Sequence, residues 1–383
     1  MKNSFRQQLQ ALQDAGLART RRIVEGPQGP CLEEGGRQVL AFASNDYLGL
    51  ANHPDLVAAA HAALDRYGLG AGASALISGH SAPVSALEET LARWLGQDRV
   101  LHFSTGYMAN LGTIPALLGE GAAVFSDALN HASLIDGIRL ARPAELTVYR
   151  HGDMAQLEAA LSRSRAGEKW IITDGVFSMD GDLAPLPALL ALAERHDARL
   201  LVDDAHGFGV LGDEGRGSLS HWGLHSSRVV YMATLGKAAG VFGAFVAASQ
   251  DVAEWLLQRA RTYIFTTGTP PVLAAACLAA LERIRRDQFR RDRLKQLGAQ
   301  LQEGARGLPW PLLPSETAIH PLMLGDNFTA LRVAQRLQEQ GLWVPAIRPP
   351  TVPPGAARLR ISLSASHESH HVERLLSALR SLS

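Results

Sequence analysis

Cysteine is nearly missing: the chain has two, Cys31 and Cys277, among 383 residues. That excludes a disulfide framework and a cysteine-built metal centre, since neither pairing nor ligand spacing exists, and it fits a reducing compartment. Net charge is missing too. The 37 Lys+Arg balance the 37 Asp+Glu, so composition draws the chain neither to nucleic acid nor to an anionic membrane. Local basic runs, Arg19–Arg22 and Arg283–Arg293, read as solvated helix faces, and the first could also serve an anionic substrate. No apolar run is long enough to span a bilayer. Val272–Leu281 is too short for that, and Cys277 within it reads as a buried small hydrophobe. The N-terminus, MKNSFRQQLQALQDAG, is polar and lacks the apolar core of a signal peptide. These absences place the expected protein in the cytoplasm, with no metal.

What is present is a globular composition, 46% hydrophobic and 19% charged, without internal repeats. Residues 4–16 read as a short amphipathic helix ended by Gly16, and Gly26, Pro27, Gly29 and Pro30 then break the chain. From about Asn45 onward, short apolar runs alternate with helical patterns. Candidate strands are Arg99–Phe103, Ala122–Ser126, Leu146–Tyr149, Trp170–Asp174, Arg199–Asp203, Val229–Ala233 and Gly243–Ala248. Candidate helices between them are Val84–Leu95, Met108–Leu118, Met154–Arg163 and Leu186–His196. The alternation predicts an α/β fold with a large, mostly parallel sheet, whose sites lie at the carboxyl ends of strands. A long helix over about Pro271–Glu303 leads to helices at Ala330–Gln340 and Glu368–Leu379 around short strands. The expected division is an N-terminal arm over 1–45, a large domain over 46–282 and a smaller α/β domain over 283–383.

Three segments carry chemistry. In LLVDDAHG, Leu200–Gly207, an apolar run ends at Asp203 and delivers a partly buried carboxylate that needs a cationic or donor partner. A helix N-cap by Asp203 or Asp204 explains the same residues. In VVYMATLGKAAG, Val229–Gly240, a run ends at Thr234 and is followed by Lys237 among small residues, where a lysine can be held as a nucleophile. A surface loop lysine is the ordinary alternative. In FSTGYMAN, Phe103–Asn110, a strand runs into a helix whose first N–H groups, near Gly106 and Tyr107, offer an anion site or simply a capped turn. Together the pieces suit pyridoxal 5'-phosphate (PLP): a helix N-terminus and Thr234 for the phosphate, a carboxylate for the ring nitrogen, a lysine for the aldehyde.

The same segments, with SNDYLGL (Ser44–Leu50), GAGASALISG (Gly70–Gly79), DALNHASLIDG (Asp127–Gly137), TDGVFSMDGDLAPL (Thr173–Leu186) and VDDAHGFGVLG (Val202–Gly212), give a chain that resembles the α-oxoamine synthases. These are aspartate-aminotransferase-like, fold type I PLP enzymes, and the resemblance covers nearly the whole sequence. It implies that Lys237 binds the cofactor aldehyde, that Asp203 pairs with the ring nitrogen, and that His206 and Ser178 lie near the ring's phenolic oxygen. Gly106, Tyr107 and Thr234 match phosphate and ring-edge positions. His131, in LNHAS, matches a histidine stacked on the ring, although a lone histidine is more often a capping or core residue. Lys237, His131, Asp203 and His206 are thus the implied catalytic set.

Within the family, the tail AIRPPTVPPGAARLRISLSASH (Ala346–His367) and TAIHPLMLGDN (Thr317–Asn327) resemble the branch that condenses L-alanine with a pimeloyl thioester, carried by CoA or by acyl carrier protein. There Arg19 and Thr351 match substrate-contacting positions, and Arg360 matches the arginine that receives the amino acid's carboxylate, a task suited to a bidentate guanidinium. A surface arginine on an alternating strand explains Arg360 as well. Phe265 departs from the tyrosine expected at its position in some relatives. The resemblance also implies a homodimer. Sister branches using glycine or serine, such as 2-amino-3-oxobutyrate CoA ligase or 5-aminolevulinate synthase, remain the alternative.

Overall fold

The structure is a computed structural model and describes residues 4–382. Its first strands form a hairpin, β1 (Cys31–Glu34) and β2 (Arg37–Ala41), turned by Gly35 and Gly36 at positive φ. Seven strands follow: β3 (Arg99–Phe103), β4 (Ala123–Asp127), β5 (Glu145–Tyr149), β6 (Lys169–Asp174), β7 (Arg199–Asp203), β8 (Val229–Thr234) and β9 (Ala244–Ala248). The last four are β10 (Ile319–Gly325), β11 (Leu342–Trp343), β12 (Ala346–Ile347) and β13 (Ala357–Ser362). The chain divides into two compact units. The larger comprises Leu50–Phe177 and Leu183–Gln288; the smaller comprises Met1–Gly49, Ser178–Asp182 and Phe289–Ser383.

In the larger unit, all seven expected strands join one sheet in the order β3-β9-β8-β7-β6-β4-β5. Pairing is parallel except around β9, which runs antiparallel to both β3 and β8. Strands β4, β8 and β9 are buried along their whole length, which is why they read as unbroken apolar runs and not as alternations. The edge strand β5 does alternate, exposing Leu146 and Val148. The helix Gly106–Leu117 packs on β8 and β9, and Leu186–Arg195 packs on β6 and β7. Register sets the parallel ends of β6, β7 and β8 side by side: Asp174 faces Asp203, and Asp203 faces Met232. The carboxyl edge of this sheet therefore gathers residues far apart in sequence.

In the smaller unit, β2 pairs with β11 in the parallel sense, closing a β1-β2-β11 sheet over Leu32, Val39 and Ala41. The expected arm over 1–45 is therefore grouped with the C-terminal segment. The physical link is this strand pairing, together with the bonds from Ser362 N to Phe42 O and from Ala365 N to Tyr47 O. Strands β10, β13 and β12 form an antiparallel sheet. The short segment Ser178–Asp182 joins this unit because the buried Arg358 pairs with Asp180 at 2.6 Å. The expected long helix over Pro271–Glu303 is two helices, Pro271–Arg286 and Gln288–Gly304, broken at Asp287 (φ −90°, ψ 58°). The compact division falls at that break, not after residue 282.

Candidate active site

Lys237 follows β8 after the turn Thr234-Leu235-Gly236. Thr234 shapes that turn: its hydroxyl donates to Gly243 O (2.9 Å) and accepts from Gly236 N (3.2 Å). The Lys237 Nζ then lies 2.8 Å from Nε2 of His206, a buried residue held on the loop after β7. Whichever nitrogen carries the proton donates it to the other.

Asp203 ends β7 and is 2% exposed. Its carboxylate accepts from Asn110 Nδ2 (2.7 Å) and from Ala205 N (3.0 Å), both neutral donors. Asp204 turns to a different environment, where one carboxylate oxygen accepts from Ser218 N and from the Tyr231 hydroxyl, each at 2.7 Å. Burial pushes the Asp204 carboxyl up to about 7. Neither aspartate is the N-cap residue of a helix, although the Asp204 carboxylate takes the first N–H of the short helix Ser218–His221.

The helix Gly106–Leu117 begins beside these residues. Thr105 is its N-cap, with Oγ1 accepting from Met108 N at 3.1 Å and its carbonyl taking Ala109 N. That leaves the Gly106 and Tyr107 N–H groups without a protein acceptor among the described residues, which is how an anion site at a helix start is built. The Tyr107 hydroxyl donates to Asp136, and this bond holds its proton above the ordinary phenol range. His131 caps the next helix, Ala132–Ala141, with Nδ1 at 3.2 Å from Ser133 N and 2.8 Å from Ser133 Oγ. It stays exposed at the cavity mouth. Desolvation by the cavity walls lowers its imidazole below the usual histidine range, with Asp203 pulling the other way and Lys237 adding to the decrease.

Gly106, Tyr107, His131, Asp203, His206, Thr234 and Lys237 all line one cavity of about 190 Å³. Seven predicted residues thus meet within the larger unit. The cavity is smaller than the roughly 300–1,000 Å³ common for drug-sized ligands, and suits one compact molecule. Three further residues support it without having been expected: Asp174 and Ser133 line it, and Asn110 holds Asp203. Asp174 ends β6, is buried, and accepts from His131 N at 2.7 Å. Asn110 bridges Asp203 and Ser133, and Ser133 holds His131. Asp174 carries the same signal as Asp203, an apolar run ending in aspartate; Asn110 acts through residues distant in sequence, and Ser133 joins it to the nearby His131.

The remaining predicted residues lie in the smaller unit, in two places. Arg360 is 5% exposed and donates to Ser178 O (2.6 Å), Asn45 Oδ1 (3.1 Å), Ser362 Oγ (2.7 Å) and the Tyr47 hydroxyl (3.2 Å). These acceptors are all neutral, so a buried guanidinium has no carboxylate partner among the described residues. Ser178 enters through its carbonyl here. Arg19 and Thr351 line a separate cavity of about 700 Å³ with Arg22 and Arg348. Burial, aided by the charge of Arg19, lowers the Arg348 guanidinium from its usual range.

Cys277 is buried, and its thiol is pushed up to about 12, so it is an inert core residue. No helix among the described residues is long and apolar enough to cross a membrane, and no group of three or more His, Cys, Asp or Glu there could hold a metal ion.

A family model for aminotransferase class I and II matches residues 37–379. An 8-amino-7-oxononanoate synthase of Herminiimonas arsenicoxydans is 57% identical over 97% of this chain and 97% of its own. That of Aromatoleum aromaticum is 58% identical over 98% and 97%. Among solved structures, a serine palmitoyltransferase with PLP superimposes with a TM-score of 0.92 at 31% identity, covering 98% of this chain and 95% of that one. With a family match across both units and these relatives alike over their full lengths, the chain belongs to the aminotransferase class I and II family, among its α-oxoamine synthases.

Proposed function

We propose that this chain catalyses the PLP-dependent decarboxylative condensation of L-alanine with a pimeloyl thioester, giving 8-amino-7-oxononanoate, CO2 and the free thiol, a step of biotin biosynthesis. The full-length similarity to synthases of that name supports the reaction. The observation that carries the chemistry is the meeting of Lys237, Asp203 and an open helix N-terminus in one cavity.

The cavity residues fit PLP on their own terms. A buried carboxylate with only neutral donors, Asp203, calls for a cation, and a protonated ring nitrogen is one. The unpaired N–H groups of Gly106 and Tyr107 suit a phosphate. Thr234 fits less directly, because its hydroxyl proton is committed to Gly243 O. Bound PLP supplies an electron sink for charge developing on the amino acid's α-carbon.

The protein side chains do the rest. Lys237 would hold the cofactor aldehyde, and its free amine would be the base that removes the substrate's α-proton and returns it. His206, 2.8 Å from Nζ, is placed to share that proton. Asp203 would hold a proton on the ring nitrogen of bound PLP. His131 at the cavity mouth limits water access and faces the acyl group. Arg360, buried without a carboxylate of its own, receives that of alanine. Arg19 and Thr351 meet the acyl substrate, whose far carboxylate calls for a cation. The reading includes a homodimer in the cytoplasm, with either CoA or acyl carrier protein as the thiol.

The test begins with absorbance. Adding PLP to the purified protein should produce a visible band that borohydride fixes covalently, and Lys237→Ala should lose the fixable adduct and essentially all turnover. Alanine with pimeloyl-CoA should then give the highest kcat/KM among alanine, glycine and serine paired with pimeloyl-, acetyl- and succinyl-CoA. Discrimination among the amino acids by an apolar pocket is worth roughly 10–200-fold. A lysine-independent covalent adduct overturns the Lys237 assignment; preference for glycine with acetyl- or succinyl-CoA moves the chain to a sister reaction and leaves the PLP chemistry standing.

A further inference from the structure

Two carboxylates, not one, close an end of the cavity. Asp174 and Asp203 are register partners on adjacent parallel strands, β6 and β7. Both are buried, 3% and 2% exposed, and both line the cavity. Like charges so placed, away from water, cannot both ionise without a large penalty. The donors around them decide which one does. Asp203 accepts from two, Asn110 Nδ2 and Ala205 N. Asp174 accepts from one, His131 N, through Oδ2. No donor among the described residues reaches its Oδ1, so a proton there displaces nothing.

We propose that Asp174 is a positioning residue that works as a neutral carboxylic acid, fixing the backbone of His131 while leaving Asp203 as the single negative charge at its end of the cavity. This rests on the reading of the cavity as the PLP site. The groups that face Asp174 are Asp203 and Asp127, which favour its protonated form, Lys237, which opposes it, and His131, whose N–H bond also favours the anion. Burial is the largest influence, and together they push the carboxyl well above its ordinary range. The arrangement matters because one negative charge matches one ring-nitrogen proton. A second would also favour the charged form of His131, which faces the same cavity.

Asp174→Asn keeps both the neutrality and an acceptor for His131 N; Asp174→Ala keeps only the neutrality. The pH midpoints of kcat/KM and the PLP dissociation constant should therefore stay in place in Asp174→Asn. Asp174→Ala should lose roughly tenfold or more in kcat relative to Asp174→Asn, the effect of leaving one buried N–H unpaired. Infrared difference spectra give a direct readout. Wild type minus Asp174→Asn at pH 7, with and without PLP, should show a protonated-carboxyl C=O band. Should Asp174→Asn not fold, Asp203→Asn with 13C-labelled aspartate serves instead: removing the neighbouring charge should lower the pH at which an acid band is lost. A carboxylate band in the difference spectrum, or a shifted pH profile in Asp174→Asn, overturns the proposal. If the acid band is present and PLP does not bind wild type, the cofactor reading fails and the neutral acid stands.

Discussion

Asp203 and Asp204 are neighbours in sequence with opposite surroundings, and single substitutions should separate them. Asp203 faces the cavity and takes neutral donors; Asp204 is enclosed by Ser218 and Tyr231. Asp203→Asn removes the charge that holds the ring nitrogen protonated. The charge-assisted bond alone is worth about 1.5–3 kcal/mol, and loss of the electron sink adds to that, so turnover and α-proton exchange should fall by orders of magnitude. Asp204→Asn should leave chemistry largely intact and alter stability. In the folded protein the Asp204 carboxyl is raised to about 7, so the folded state binds its proton more tightly than the unfolded chain does. Wild type therefore loses stability from this group as pH rises from about 4 to about 7. Urea unfolding at pH 5 and pH 8 should show Asp204→Asn gaining on wild type at the higher pH. If Asp204→Asn is the variant that abolishes turnover, the two roles have been exchanged.

At the scale of elements, the site depends on how closely two helices approach. Gly137, in Ala132–Ala141, lies against Gly106–Leu117: a Cβ there would meet Ile114 Cδ1 at 2.8 Å and Asn110 O at 3.1 Å. Asn110 orients Asp203, and Ala132–Ala141 carries His131 at its N-cap. Gly137→Ala gains up to about 1 kcal/mol in helix propensity, but overpacking costs about 1–3 kcal/mol, and the backbone contact at Asn110 cannot rotate away. The variant should be less stable and should bind PLP more weakly, as thermal unfolding and a PLP titration would report; unchanged PLP affinity would mean the helix spacing does not position the site. The sheet itself was legible in the sequence because its strands are short apolar runs with polar ends. Asp203, Thr234 and Lys237 were legible as the residues on which those runs stop. The helix Ala132–Ala141 was not, since it contains Gly137 and is capped by a histidine side chain, outside the usual Ser, Thr, Asp and Asn signals. The break at Asp287 was hidden as well, because neither glycine nor proline marks it. Asn110 and its bond to Ser133 stayed invisible for another reason: these partners are set by packing, which periodicity does not encode.

For the whole molecule, the two units carry buried titratable groups with opposite responses to acid. The smaller unit holds His320 and His367, both buried and both lowered to about 4 by burial. His367 is fixed as neutral by geometry as well: Nδ1 accepts from Ser364 N at 2.9 Å, and Nε2 lies 3.0 Å from Ala41 O. Unfolded histidine takes up a proton below about 6.5, which the folded unit refuses, so stability is lost as pH falls from there to about 4. Each such group is worth roughly 3 kcal/mol at the acid end. Among the described residues of the larger unit, His102 is also lowered to about 4, and His131 is lowered as well. Against them stand Glu88 and Asp204, raised to about 7, and Asp174, raised well above its ordinary value. Raised carboxyls act in the opposite sense, adding stability as pH falls from about 7 toward 4. Acidification should therefore weaken the smaller unit first, and unfolding should cease to be a single cooperative transition. Hydrogen exchange at pH 4.5 against pH 7, corrected for intrinsic rates, would reveal this as early loss of protection in β10 and β13 while β4, β6 and β7 stay protected. Simultaneous loss in both units, or earlier loss in the central sheet, would show that exposed charges outweigh these buried groups.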